Sequence, residues 1–175
     1  MIRSHSITKR LYGQRGTVVI LFALLLPVLL GFAALAIDLA RLSLTRVELQ
    51  NAADAAALAG AHSLGDVLSP HWTSAADTAL VWAQHNVAYG SKIKDATIET
   101  VYWPSMRPST SAPVAGDAPA IRAMITIDST HNCGPCKFFF APFLGIAIKD
   151  VQASAIAVLL KPTGGGGASI PKLVQ

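Results

Sequence analysis

The sequence predicts an α+β protein: a long N-terminal helix that crosses a membrane and runs on as an amphipathic helix, a second helix, and a small antiparallel β-sheet. Three observations predict it. Residues 17–37 form an uncharged apolar run of 21 residues, roughly 30 Å long as a helix, which matches the hydrocarbon thickness of a bilayer. Residues 38–64 keep helical spacing with no proline. Beyond residue 95, three segments alternate apolar and polar side chains in the manner of half-buried strands.

The apolar run contains 14 Val, Ile, Leu or Phe residues, and nothing in it opposes insertion. Arg3, Lys9, Arg10 and Arg15 precede it without an acidic residue, against Arg41 and Arg46 after it. This bias places residues 1–16 as a basic cytoplasmic N-terminus, 17–37 as a transmembrane helix and 38–163 as an extracytoplasmic domain. A rival reading is a cleaved secretory signal, with Ala34-Leu35-Ala36 as its small-x-small site. The run exceeds the usual signal core of about 7–15 residues, and the helical pattern passes the site without a break.

Leu35, Leu39, Leu42, Arg46, Leu49, Ala53, Ala56 and Gly60 step by three or four residues, which makes a mostly apolar or small stripe, with Arg41, Glu48 and Asp54 largely off it. One helix over 17–63 is expected, kinked at Pro27 and stopped at Gly65. The alanines between 52 and 61 make a nearly smooth surface. Either they serve helix propensity, or they let a partner or a sheet approach closely. A second helix is expected over 70–89, with Ser69 as its cap, Pro70 in its first turn and Gly90 at its end. Its stripe is Ala76, Leu80, Ala83 and Val87. Strands are expected at 97–103, 120–128 and 151–160, a Pro- and Ser-rich exposed loop at 104–119, and a disordered tail over the Gly-rich residues 164–175.

The net charge of +4 is gathered at the chain ends, so it sets topology rather than a nucleic-acid site. No nucleophile triad, phosphate loop, dinucleotide fingerprint or carboxylate pair stands out, so neither an enzyme nor a cofactor nor a small-molecule substrate is expected. Cys133-Gly134-Pro135-Cys136 has the residues of a thioredoxin-type redox motif. The long helix that such a motif opens is not expected here, because Pro142 and Gly145 follow. The favoured reading is a Cys133–Cys136 disulfide in an outward-facing domain. Free or metal-linked cysteines and redox activity are the alternatives. Zinc needs about four ligands, and His131, Cys133 and Cys136 lack a second pair, so no metal is expected. Asp38 and Arg41 are placed as solvated helix-end charges able to form an ion pair, Asn51 and Asp54 as helix–sheet contacts, and Phe138, Phe139, Phe140 and Phe143 as core or membrane-proximal packing.

Several segments together resemble the TadG-like family of Tad/Flp pilus-assembly proteins. They are Gln14-Arg15-Gly16, Leu25-Leu26-Pro27, Ala36-Ile37-Asp38-Leu39-Ala40-Arg41, and Leu49-Gln50-Asn51-Ala52-Ala53-Asp54-Ala55-Ala56-Ala57-Leu58-Ala59. Phe138-Phe139-Phe140, Leu144-Gly145-Ile146 and residues 151–157 fit more loosely. The resemblance implies a single-pass, pilin-like protein of the bacterial inner membrane that assembles or anchors Tad pili. Its expected partners are the lipid bilayer and other pilus-assembly or envelope proteins, with Gly16, Pro27, Asp38, Arg41, Gln50, Asn51, Ala52, Ala53, Asp54, Ala55 and Ala56 as the motif helix. Longer members carry a von Willebrand factor A-like domain, for which 175 residues leave no room. Processed pilins of such systems have Glu five residues after a cleavage-site Gly. Leu21 and Val18 stand at those places after Gly16 and Gly13, so such processing is not expected. The alternative from another class is a membrane-tethered thiol–disulfide oxidoreductase using Cys133 and Cys136.

Overall fold

The computed structural model describes residues 15–132, 134–145, 148–161 and 169–174. Helix α1 spans Arg15–Ser63, 49 residues and so roughly 74 Å long. It passes through Pro27, whose missing N–H leaves the carbonyl of Ala23 without its helical donor. Residues 18–33 are exposed throughout, which makes this half of α1 the one candidate membrane span among the described residues.

The other half of α1 is the spine of the folded domain. Asp38, Thr45, Leu49, Ala52, Ala53, Ala56, Ala57 and Ala61 are buried along it, with Leu42 half-buried. The stripe therefore starts from Asp38 and passes through Thr45, whereas Leu39 and Arg46 are exposed. The expected stripe was set one residue off at both places, because a buried Asp cannot be told from a solvated one by its type. Thr45 spends its hydroxyl on the Arg41 carbonyl at 3.0 Å, which is how a β-hydroxyl enters an apolar helix face at little cost.

Helix α2 covers Trp72–Gln84 and buries Ala75, Ala79 and Ala83, one residue off the expected register for the first two. It is shorter than expected at both ends. Strands β1, Val87–Ala88, and β2, Ser91–Lys92, form a hairpin with Tyr89 at φ 52° and Gly90 at φ 72°. Two successive positive φ values are the signature of a two-residue hairpin turn, so Gly90 marks a turn rather than a helix end. Val87, expected on the stripe of α2, is exposed in β1.

The remaining strands are β3 at Thr97–Trp103, β4 at Arg107–Pro108, β5 at Ala118–Ile127, β6 at Cys136–Lys137, β7 at Ile148–Lys149, β8 at Val151–Leu160 and β9 at Ile170–Val174. Strands β4-β3-β5-β8-β9 form one sheet in that order, antiparallel throughout, and β6 pairs with β7. Strand β9 lies where a disordered tail was expected: Ile170, Leu173 and Val174 flank a Pro and a Lys, and the segment pairs with β8 as an edge strand, a position that tolerates Pro171. Residues 164–168, in the same expected tail, lie outside the described residues.

The pleat decides which side chains meet the helices. Ile121, Ala123, Ile125 and Ile127 of β5 and Val151, Ala153, Ala155, Ala157 and Leu159 of β8 share one buried cluster with α1 and α2. The alanines of α1 thus face alanines of β8, and small residues on both sides let helix and sheet approach closely. This smooth face is the inside of the domain, packed on its own sheet and on α2.

Candidate functional site

The chemistry that positions this protein concentrates where the exposed half of α1 meets the folded domain. Asp38 is only 2% exposed. Its Oδ1 accepts the N–H of Phe139 at 2.9 Å, and its Oδ2 accepts those of Phe140 at 2.9 Å and Ala141 at 2.8 Å. A short 3-10 helix, Ala141–Leu144, begins there without a side-chain cap of its own. Asp38 supplies from 101 residues away the acceptor that helix-start N–H groups require. Gly145 closes the turn at φ 80°, a conformation that favours glycine.

Asp38 is therefore not the solvated helix-end charge expected, whereas Arg41 is exposed. The carboxylate is turned into the domain, and the Arg41 guanidinium lies over the Phe139 ring, 4.5 Å from its centroid, within cation–π range. A second tie fastens the same segment. The Glu48 carboxylate accepts the Tyr89 N–H at 2.8 Å, and the Tyr89 hydroxyl accepts the Lys137 N–H at 2.9 Å. Residues 136–141 are thus bound to α1 at Asp38 directly and at Glu48 through the hairpin.

The other motif residues divide by role. Gly16 lies in the first turn of α1 and Pro27 in its exposed half. Ala52, Ala53 and Ala56 are core and Ala55 is half-buried. Gln50 donates to the Asp54 carboxylate at 2.8 Å and to the Ser154 carbonyl at 3.3 Å, which ties α1 to β8. Asn51 is exposed.

Cys136 is buried in β6, and Gly134 and Pro135 form the loop before it. No helix starts at this motif among the described residues, so the dipole that activates a thioredoxin-type thiol is missing. The expected Cys133–Cys136 bridge involves Cys133, which lies outside the described residues. Around the motif the polar groups hold the loop. Asn132, at φ 59°, accepts the Lys94 N–H at 2.8 Å and donates to the Thr126 carbonyl at 2.6 Å. Asp128 accepts the Thr130 hydroxyl and N–H and lies 2.9 Å from Nδ1 of His131. The Thr130 hydroxyl and N–H, then His131, hold the Asp128 carboxyl below its usual range, and Asp128 in turn raises the pKa of His131. His131 is therefore a partner of Asp128, a polar turn on the rim of the sheet. Trp72 meets Tyr102 edge-on at 5.3 Å, and Trp103 packs against the Val101, Ala120 and Val158 cluster.

Comparison with known proteins agrees with this layout. The family described as Flp pilus-assembly TadE/G-like matches residues 16–63, which is α1 almost from end to end. The family described as Tad-like Flp pilus-assembly matches residues 59–157, from the last turn of α1 into β8. No curated protein and no solved structure matches. Since the second match covers more than half of the chain, the protein belongs to the Tad-like Flp pilus-assembly family.

Proposed function

We propose that the protein is a single-pass inner-membrane component of a bacterial Tad/Flp-type pilus apparatus, with its N-terminus in the cytoplasm and its folded domain outside. Its role is structural: it assembles or anchors the pilus through helix packing and protein–protein contacts. The observation that carries this reading is the outward face of α1 from the end of the apolar run onward. Ile37, Ala40, Leu44 and Val47 are exposed and fall on one side of the helix by their spacing. Ile37, Leu44 and Val47 are each more than half exposed. This side lies roughly opposite the Asp38, Leu42, Thr45 and Leu49 row that the domain covers. An apolar row with a small residue in it suits the close approach of a second helix.

The basic residues before the run support the orientation. Cross-linking from native membranes tests the role. Photoreactive side chains at 44 and 47 are expected to capture another pilus-assembly protein, and one at the exposed loop residue Leu68 is not. Capture of no envelope protein from 44 or 47, under conditions where the protein is abundant in the membrane, contradicts the packing role.

A further inference from the structure

We propose that the Phe138–Phe140 segment is a second, interfacial membrane contact that sits at the phospholipid headgroup level and fixes how the folded domain rests on the bilayer. The inference deepens the membrane-anchor reading and rests on it. Asp38 is the residue that follows the apolar run, and it holds the amides of residues 139–141 at 2.8–2.9 Å. The Cα–Cβ bonds of a helix tilt toward its N-terminus, so Asp38 and Arg41 both reach back toward the span. The segment they hold therefore lies at the level where lipid tails give way to headgroups.

The side chains there suit that level. Phe139 is 63% exposed and Phe140 41%, an unusual exposure for two adjacent Phe on a folded domain. Arg41 lies over the Phe139 ring, while Lys137 of β6 and Lys149 of its partner strand β7 are exposed. Aromatic rings beside cationic side chains match an interface whose lipids carry phosphate groups. Asp150, next in sequence to Lys149, is exposed as well. The segment has no freedom to turn away, because both the Asp38 clamp and the Glu48–Tyr89–Lys137 tie hold it against α1.

The test uses the full chain reconstituted in vesicles of phosphatidylethanolamine and phosphatidylglycerol, with a benzophenone side chain placed singly at 32, 139 or 68. Lipid adducts are expected at 32, inside the span, and at 139, with none at Leu68, in the loop beyond the far end of α1. The Asp38→Ala variant, which removes both acceptor oxygens, is expected to lose most of the adduct at 139 and to keep the adduct at 32. An adduct at 32 without one at 139 overturns the interfacial contact while leaving the anchor intact, and a protein adduct at 139 in place of lipid assigns the Phe pair to a subunit. Absence of an adduct at 32 removes the anchor itself, and the proposal with it.

Discussion

Replacing Asp38 with alanine is expected to release residues 139–141 from α1 while the sheet stays formed. The substitution deletes a carboxylate that accepts three backbone N–H groups, one of which is buried. Charge-assisted hydrogen bonds are roughly twice as strong as neutral ones. The 3-10 helix that starts at Ala141 has no side-chain cap of its own to replace the carboxylate. Hydrogen exchange of the detergent-solubilised chain reads this directly. The amides of 139–141 should exchange faster by roughly tenfold or more, the effect of losing even one charge-assisted bond. The amides of β5 and β8 should be unchanged. Asp38→Asn keeps one acceptor oxygen and should fall between. Equal exchange at 139–141 in the wild type and the alanine variant contradicts the clamp.

The second large effect is at Gly60. A Cβ added there would meet the Ala79 Cβ at 2.9 Å, the Ala75 carbonyl at 3.0 Å and Ile121 Cγ2 at 3.0 Å. The Ala75 oxygen is backbone within α2, and Ile121 is fully buried in β5, so neither neighbour can swing aside. Gly60→Ala gains up to about 1 kcal/mol of helix propensity. Overpacking a filled core costs about 1–3 kcal/mol, so the net effect is destabilising. Gly60→Leu brings three more carbons into the same space and should separate α2 from α1. Urea unfolding of the solubilised chain should give a lower midpoint for Gly60→Ala and a failure to fold cooperatively for Gly60→Leu. Partial recovery is expected for Gly60→Ala combined with Ala79→Gly. A Gly60→Ala variant at least as stable as the wild type would show that α1 and α2 do not cross as closely as described.

The sequence carried the anchor, the continuity of α1 and the three long strands because each rests on a local pattern: an uncharged run, a helical period and a two-residue alternation. Strands β3 and β8 fall where alternation put them, and β5 begins two residues earlier than expected. The parts that were not legible depend on contacts between distant residues. Asp38 reads as a surface charge until the chain returns 101 residues later to donate three N–H groups to it. The end of α2 was misplaced because Gly90 punctuates a hairpin and a helix alike. Strand β9 follows four consecutive glycines, and only the neighbouring β8 gives it a reason to be extended. For the alanines of α1 the sequence left helix propensity and a packing face equally open, and what they pack on was not legible. The sheet and α2 take that face, which leaves the exposed row at Ile37, Ala40, Leu44 and Val47 for the proposed subunit contacts.

A clean deletion tests whether this chain acts in pilus assembly from the membrane. Surface pili counted by electron microscopy, or recovered by shearing, should fall sharply in the deletion strain and return when the wild-type chain is restored. Piliation at the parental level in the deletion strain would contradict a role in pilus assembly.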